Sequence, residues 1–192
     1  MAFNNIMQLA TAQLTAQGAF PPGATVVEWG NQRFRYSEGW LDECEKKSGR
    51  ILRRPTNFVW EYFEDLGFGE YLAIDINTEL RSIAMDLNFI LKDKYNYTQQ
   101  FDYVTNNGTG EHIFDQRTVF ENMHNLCKTG GTMINVLPFA PWFNHCFYSF
   151  HPQLFRDIAA ANGYEWRFMW LAQNTGKYVD CPTDFDSWSY YE

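Results

Sequence analysis

No stretch of this chain approaches 18 consecutive apolar residues, so nothing in it is long enough to cross a bilayer as a helix. The opening residues, MAFNNIMQLATAQLTAQ, hold no Lys or Arg and no continuous apolar run, which does not fit a signal peptide. Cysteine is scarce: Cys44, Cys127, Cys146 and Cys181 stand far apart, without a CxxC pair. Reduced thiols of a cytoplasmic protein are therefore expected, with no disulfide framework. Basic residues are outnumbered, 15 Lys plus Arg against 23 Asp plus Glu, for a net charge of −8. A pI near 5.0 argues against nucleic acid or an anionic membrane as a partner. Phosphate-binding glycine patterns are missing too, neither GxGxxG nor a Walker loop being present.

What the chain does have is enough apolar material for a core. Its 192 residues are 45% hydrophobic and 20% charged, which excludes disorder and suits one domain. Aromatics reach 18%, enough to fill a core and still furnish flat walls for a planar ligand. Ile6, Leu9, Ala10 and Leu14 recur at helical spacing over 3–17, and Gly18 with Pro21-Pro22-Gly23 ends that segment. TVVEW (25–29) is a β-branched run stopped by Gly30. Residues 31–55 read as irregular, first aromatic, then acidic, then basic from Lys46 to Arg54. That basic run reads best as a solvated face paired with the acids before it. A helix follows, with Phe58, Val59, Tyr62, Phe63 and Leu66 on one face.

Three apolar runs come next, YLAIDI (71–76), SIAMDL (82–87) and FDYVTN (101–106). A helix over 114–127, a strand over 132–139, a helix over 150–162 and a strand over 164–172 complete the pattern. The polar tail has room for one more short strand. Its acidic aromatic end, 184–192, is open to folding over a sheet edge, closing a homodimer or staying loose. Strands that are apolar throughout and alternate with helices imply an α/β fold, a doubly wound parallel sheet covered on both faces. The expected organisation is a single domain: an N-terminal helix and linker (1–23), an α/β core (24–172) and a tail (173–192).

In such a sheet ligands sit at the carboxyl ends of strands, so the residues there are the candidates for chemistry. They are Glu28 and Gly30, Asp75, Asp86, the stretch 106–112 and the stretch 138–142. A carboxylate after the second strand can accept both hydroxyls of a ribose, and Asp75 is placed for it. Asp86 is the candidate for an adenine amino group, and Gly30 offers a turn without a side chain. Gly30 and Asp75 are 45 residues apart in a chain with one glycine in the first turn, against about 20 for a dinucleotide fold. A nucleoside cofactor without phosphates, S-adenosylmethionine, meets that restriction. Glu111 and His112 follow the fourth strand, where an acceptor would meet the donor, and His has a pKa suited to proton exchange near neutrality. His145 and Trp142 are candidate walls of the substrate pocket. No metal site is expected, because His145, Cys146 and His151 match no common zinc spacing.

Taken together, VVEWGNQRF, YLAIDIN, AMDLN, FDYVTNNGTGEHIFDQ, HNLCKTGG and HCFYSFHP resemble the class I methyltransferases. The chain is most similar to a divergent group with a Gly-Asn-Gln turn and a GT-x-Glu-His segment. The resemblance covers roughly 24–172 and implies a Rossmann-like sheet that binds S-adenosylmethionine and transfers its methyl group to a small-molecule or glycan-type acceptor. It assigns Glu28, Gly30, Asn31 and Gln32 to the first cofactor motif, Asp75 to the ribose and Asp86 to the adenine side. Asn106, counted with them as cofactor-binding, would begin the loop, 106–112, that lines the transfer centre. The chain departs from the family in its single-glycine turn and in an incomplete C-terminal hairpin. Two alternatives follow: a non-catalytic binding or scaffold protein derived from a methyltransferase, and, less favoured, a sugar-nucleotide enzyme.

Overall fold

The computed structural model describes residues 2–140, 144–173 and 177–181. It divides into two compact units, one ending at Phe150 and one beginning at His151. The first unit runs β1 (Ala2–Phe3), α1 (Asn5–Ala16), β2 (Thr25–Trp29), β3 (Arg33–Phe34), α2 (Glu38–Ser48), α3 (Val59–Asp65), β4 (Glu70–Asp75), β5 (Ser82–Ala84), α4 (Leu91–Tyr95), β6 (Phe101–Asn107), α5 (Gln116–Leu126) and β7 (Cys127–Val136). The second holds α6 (Pro152–Asn162) and an antiparallel hairpin of β8 (Trp170–Ala172) and β9 (Tyr178–Asp180).

Five strands form one sheet in the order β5-β4-β2-β6-β7, every pair parallel. The first strand of this sheet thus lies at its centre, and the order reverses between β2 and β6. That reversal is the topological switch point of a Rossmann-like α/β fold. Helices cover both faces. On one, Val27, Trp29, Ile74 and Val104 join Leu87, Leu91, Val119, Met123 and Leu126 from the segments around α4 and α5. On the other, the aromatic excess is used as packing. Phe3, Tyr62, Phe63, Phe68, Tyr71 and Tyr103 meet ring to ring. The Tyr62 hydroxyl donates to the Gln8 carbonyl at 2.7 Å, and Thr11 and Tyr103 share a hydrogen bond at 3.1 Å, so buried phenols are satisfied there.

Three departures from the sequence reading have plain causes. Residues 38–48, read as irregular, are helix α2. Only Leu41 and Cys44 of this helix are buried, too few for an apolar stripe, and its signal is electrostatic. Glu38 sits in its first turn, Lys46 and Lys47 in its last, and Gly49 closes it with a left-handed φ of 68°. Second, β7 starts at Cys127 and runs through Lys128-Thr129-Gly130-Gly131, which the sequence presents as a helix stop. The register against β6 shifts there, and the two glycines accommodate the irregularity. Third, the strand expected over 164–172 shortens to Trp170–Ala172 and pairs with β9 in a separate ladder. The basic run pairs with the acids before it only in part, since Arg53 turns to acids that follow it. Arg54 reaches Glu38, Asp42 and Glu45, while Arg53 reaches Asp65 and Glu64.

Glu28 corrects the expectation that it faces a ligand at the strand end. Its side chain leaves β2 on the aromatic face, is wholly inaccessible, and accepts the Tyr71 hydroxyl on Oε2 at 2.7 Å. Burial pushes its pKa up to about 8, the Tyr71 hydrogen bond opposing that shift. The native carboxyl therefore keeps its proton at neutral pH while the unfolded one does not. The native state binds the extra proton between the unfolded value near 4.5 and about 8, so stability falls as pH rises through that window. Glu28→Gln keeps an acceptor for Tyr71 and carries no titrating group. We expect it to melt like the parent at pH 4.5 and to be more stable at pH 9, by up to about 5 kcal/mol. Parallel denaturation curves with the same pH slope for both proteins would contradict this protonation state.

Candidate active site at the sheet switch point

The two strands that flank the switch point, β2 and β6, end in loops that are tied to each other. The β2 turn is Gly30-Asn31-Gln32. Gly30 has a φ of 72°, and a Cβ built on it would stand 2.5 Å from Thr109 Oγ1. The glycine thus serves a close approach between loops, since Thr109 donates to the Trp29 carbonyl at 2.7 Å. Gln32, 3% exposed, donates to the Asn107 carbonyl at 3.0 Å, making a second tie between the same two strand ends. The Gln32 carbonyl oxygen Oε1 is buried without a hydrogen-bond partner among the described residues.

Asp75 closes β4 beside this turn. Its Oδ2 accepts the Asn31 backbone N–H at 2.7 Å, while Oδ1 accepts from Ile76 N and from the Asn77 backbone and side chain. The carboxylate therefore fixes the turn it faces, and Oδ2 keeps acceptor capacity beyond the single bond it makes among the described residues. Asn31 reaches across β4 to the Asn77 side chain. Asp86 lies after β5, half-buried, and accepts from Asn88 N and Nδ2, both at 2.9 Å. Gly30, Asn31, Gln32 and Asp75 are thus gathered at one end of adjacent strands, whereas Glu28 is not among them.

Beyond β6 the chain is held at almost every residue. Gly108 N–H donates to Val136, and Gly110 N–H donates to Asn106 Oδ1 at 2.8 Å. Asn106 is buried and donates in turn to Asn135 of β7 at 2.9 Å. It positions the loop from beneath. A short 3-10 turn, Gly110–His112, follows. Gln116 braces it from α5 by donating to the Gly110 and Ile113 carbonyls.

This bracing drives the Glu111 side chain inward. Glu111 is 1% exposed, and burial pushes its pKa up to about 7. His112 and His145 converge on it. Their Nε2 atoms lie 3.8 Å and 3.7 Å from Glu111 Oε1, and the imidazoles meet edge to face with centroids 5.0 Å apart. Desolvation, then the neighbouring His145, lowers the His112 pKa below its ordinary value. Sequence reading found Glu111 and His112 but placed His145 apart, as a pocket wall. The backbone supplies the link: Phe147 N–H donates to the Glu111 carbonyl at 3.0 Å, folding 144–150 over the loop. Trp142 lies outside the described residues. His151, weighed beside His145 in the sequence, instead accepts from Gln153 N–H as the N-cap of α6.

The Gly30–Thr109 approach yields a direct test. Gly30→Ala combines a left-handed backbone with a side chain 2.5 Å from Thr109 Oγ1, and should cost about 1–3 kcal/mol in chemical denaturation. Adding Thr109→Ala should recover part of the loss, because the clash goes and the strain stays. A double variant no more stable than the single one would show that the contact is not the constraint. A scan against protein-family models finds no match to this chain, and no curated protein matches it, so a functional reading stands on these residues.

Proposed function

We propose that the protein is an S-adenosylmethionine-dependent methyltransferase acting on a small-molecule or glycan-type acceptor. The observation that carries the reading is the pairing of two dissimilar half-sites at one switch point. On the β4 side of β2, Asp75 stands beside the Gly30 turn with acceptor capacity left on Oδ2. On the β6 side, a buried Glu111 with the partly exposed His112 and His145 forms a polar cluster open to solvent on its histidine side. The first suits the hydroxyls of a ribose and the second an acceptor's polar group. No pyrophosphate turn is present, which favours a nucleoside without phosphates over a dinucleotide or sugar nucleotide.

Methyl transfer from a sulfonium demands chiefly position. The acceptor oxygen or nitrogen attacks the methyl carbon in line with the carbon–sulfur bond. The electron pair of that bond stays on sulfur, leaving a neutral thioether, and the acceptor's proton is released to solvent. Asp75, with Asn31 and the Gly30 turn, holds the donor in this reading, and Glu111 with His112 orients the acceptor. Asp86, with its Asn88 contacts, lies at the β5 end of the same sheet edge and serves the adenine side.

One observation favours a second reading. Thr109 occupies the space above Gly30 and Asp75 already accepts four hydrogen bonds, so the turn is closed by its own contacts. A scaffold protein that keeps the fold without turnover would need nothing more. Thermal-shift titration separates the two. S-adenosylmethionine and its demethylated product should each raise the melting point, while NAD and ATP should not. A ligand at 100 times its Kd adds about 2.7 kcal/mol, well within detection. Asp75→Ala should weaken donor binding by about 1.5–3 kcal/mol, the scale of a charge-assisted hydrogen bond. The absence of any shift with either methionine-derived ligand would leave the scaffold reading in place.

A further inference from the structure

We infer that Glu111, His112 and His145 form a binding site for one divalent first-row transition-metal ion. Each contributes one ligand atom, and the three atoms lie within 4.8 Å of one another. The separations to Glu111 Oε1, 3.7 and 3.8 Å, are too long for hydrogen bonds. The cluster is therefore not a hydrogen-bonded triad. Ligands at about 2.0–2.2 Å from a shared ion stand about 3.0–3.5 Å apart at octahedral or tetrahedral angles, so closing on an ion shortens the two carboxylate–imidazole separations by about 0.2–0.8 Å and the widest separation, within 4.8 Å, by up to about 1.3–1.8 Å.

An independent observation points to a missing ligand. Glu111 Oε2 is buried and has no hydrogen-bond partner among the described residues. Leaving a carboxylate oxygen unsatisfied in a dry site is costly, and a cation bound by one or both oxygens removes that cost. The loop is also preorganised: Asn106, Gln116 and Phe147 hold the backbone of 110–112 by the hydrogen bonds described above.

The donor set selects the metal class. Two imidazoles and one carboxylate suit Zn2+, Fe2+, Co2+ or Mn2+ and disfavour Mg2+ and Ca2+, which take oxygen ligands. Three protein ligands leave positions open, as in catalytic metal sites. Those positions are reachable, since the His112 and His145 side chains keep 37% and 24% of their exposure. Ion binding does not depend on the methyl-transfer reading. The ion's use there, to hold and polarise an acceptor oxygen, does rest on it.

The test uses the full chain stripped with a chelator, in the absence of any methyl donor. Titration with Co2+ should give visible ligand-field bands that saturate at one equivalent, and calorimetry should give one Zn2+ per chain. Glu111→Gln, which preserves the shape of a buried side chain, and His112→Ala, at a half-exposed position, should each weaken Zn2+ binding tenfold or more. His124→Ala, on α5, should leave it unchanged. Three results would overturn the site: no stoichiometric uptake, equal uptake by parent and both cluster variants, or a near-ultraviolet thiolate-to-cobalt band placing the ion on a cysteine. A protein that binds Zn2+ but no methionine-derived ligand would keep this site and lose the function proposed above.

Discussion

The site hangs on one contact, the approach of the loop after β6 to the turn after β2. Because Gly30 has no Cβ, the Thr109 hydroxyl can reach the Trp29 carbonyl and tie the ends of the two strands that flank the switch point. The Gln32 bond to Asn107 repeats that tie one step away. With both in place, the next residues have few conformations left. Gly110 closes on Asn106, the chain makes a 3-10 turn, and Glu111 has nowhere to point except inward. A turn usually read as making room for a cofactor serves here first to dock one loop against another.

Three acids near this sheet edge show how little residue type says without geometry. Glu28 is one residue before the end of β2, and the alternation of side chains sends it to the aromatic face, where desolvation keeps it protonated. Asp75 ends its strand and meets a row of backbone N–H groups, which suit a charged carboxylate. Glu111 is buried like Glu28, and each has one oxygen without a hydrogen-bond partner among the described residues, but only Glu111 lies among imidazoles. Burial alone makes a structural acid; burial beside two histidines makes a site.

Much of the scaffold was legible in the sequence. The strands at 25–29, 70–75 and 101–107 follow apolar β-branched runs, and α1, α3 and α5 follow apolar spacing with clear stops. Helix α2 was not legible, because it buries only Leu41 and Cys44 and is organised by charge. The start of β7 was obscured by Gly130-Gly131, which look like a helix stop and lie in an irregular ladder. Within the site, Asp75, Glu111 and His112 could be found from their places at strand ends. Glu28 was misplaced because one residue of strand parity separates crevice from core. The pairing of His145 with Glu111 was not read from the sequence, since no spacing rule predicts the fold-back of 144–150. A reader of the sequence has one clue: a chain with only four histidines spends two of them in EH and NHC segments, each following a strand of the same sheet.

With the proposed donor and ion both bound, the two halves of the site would have opposite electrostatic requirements, and the sheet would keep them separate. A sulfonium donor is cationic, so a dication beside it would repel it unless a counter-charge lay between. Asp75 supplies negative charge on the β4 side, and Glu111 would neutralise one charge of the ion on the β6 side, with β2 and its turn between them. The turn itself presents backbone dipoles and amides, Asn31 and Gln32, and no formal charge. Were both bound, the uncharged Gly-Asn-Gln turn would lie between the cationic donor and the acid-bound ion without adding a formal charge to either side. A glycine-rich turn would admit a ligand more closely, but it could not tie β2 to β6 through Gln32, and the loop after β6 would lose one of its two ties to that turn.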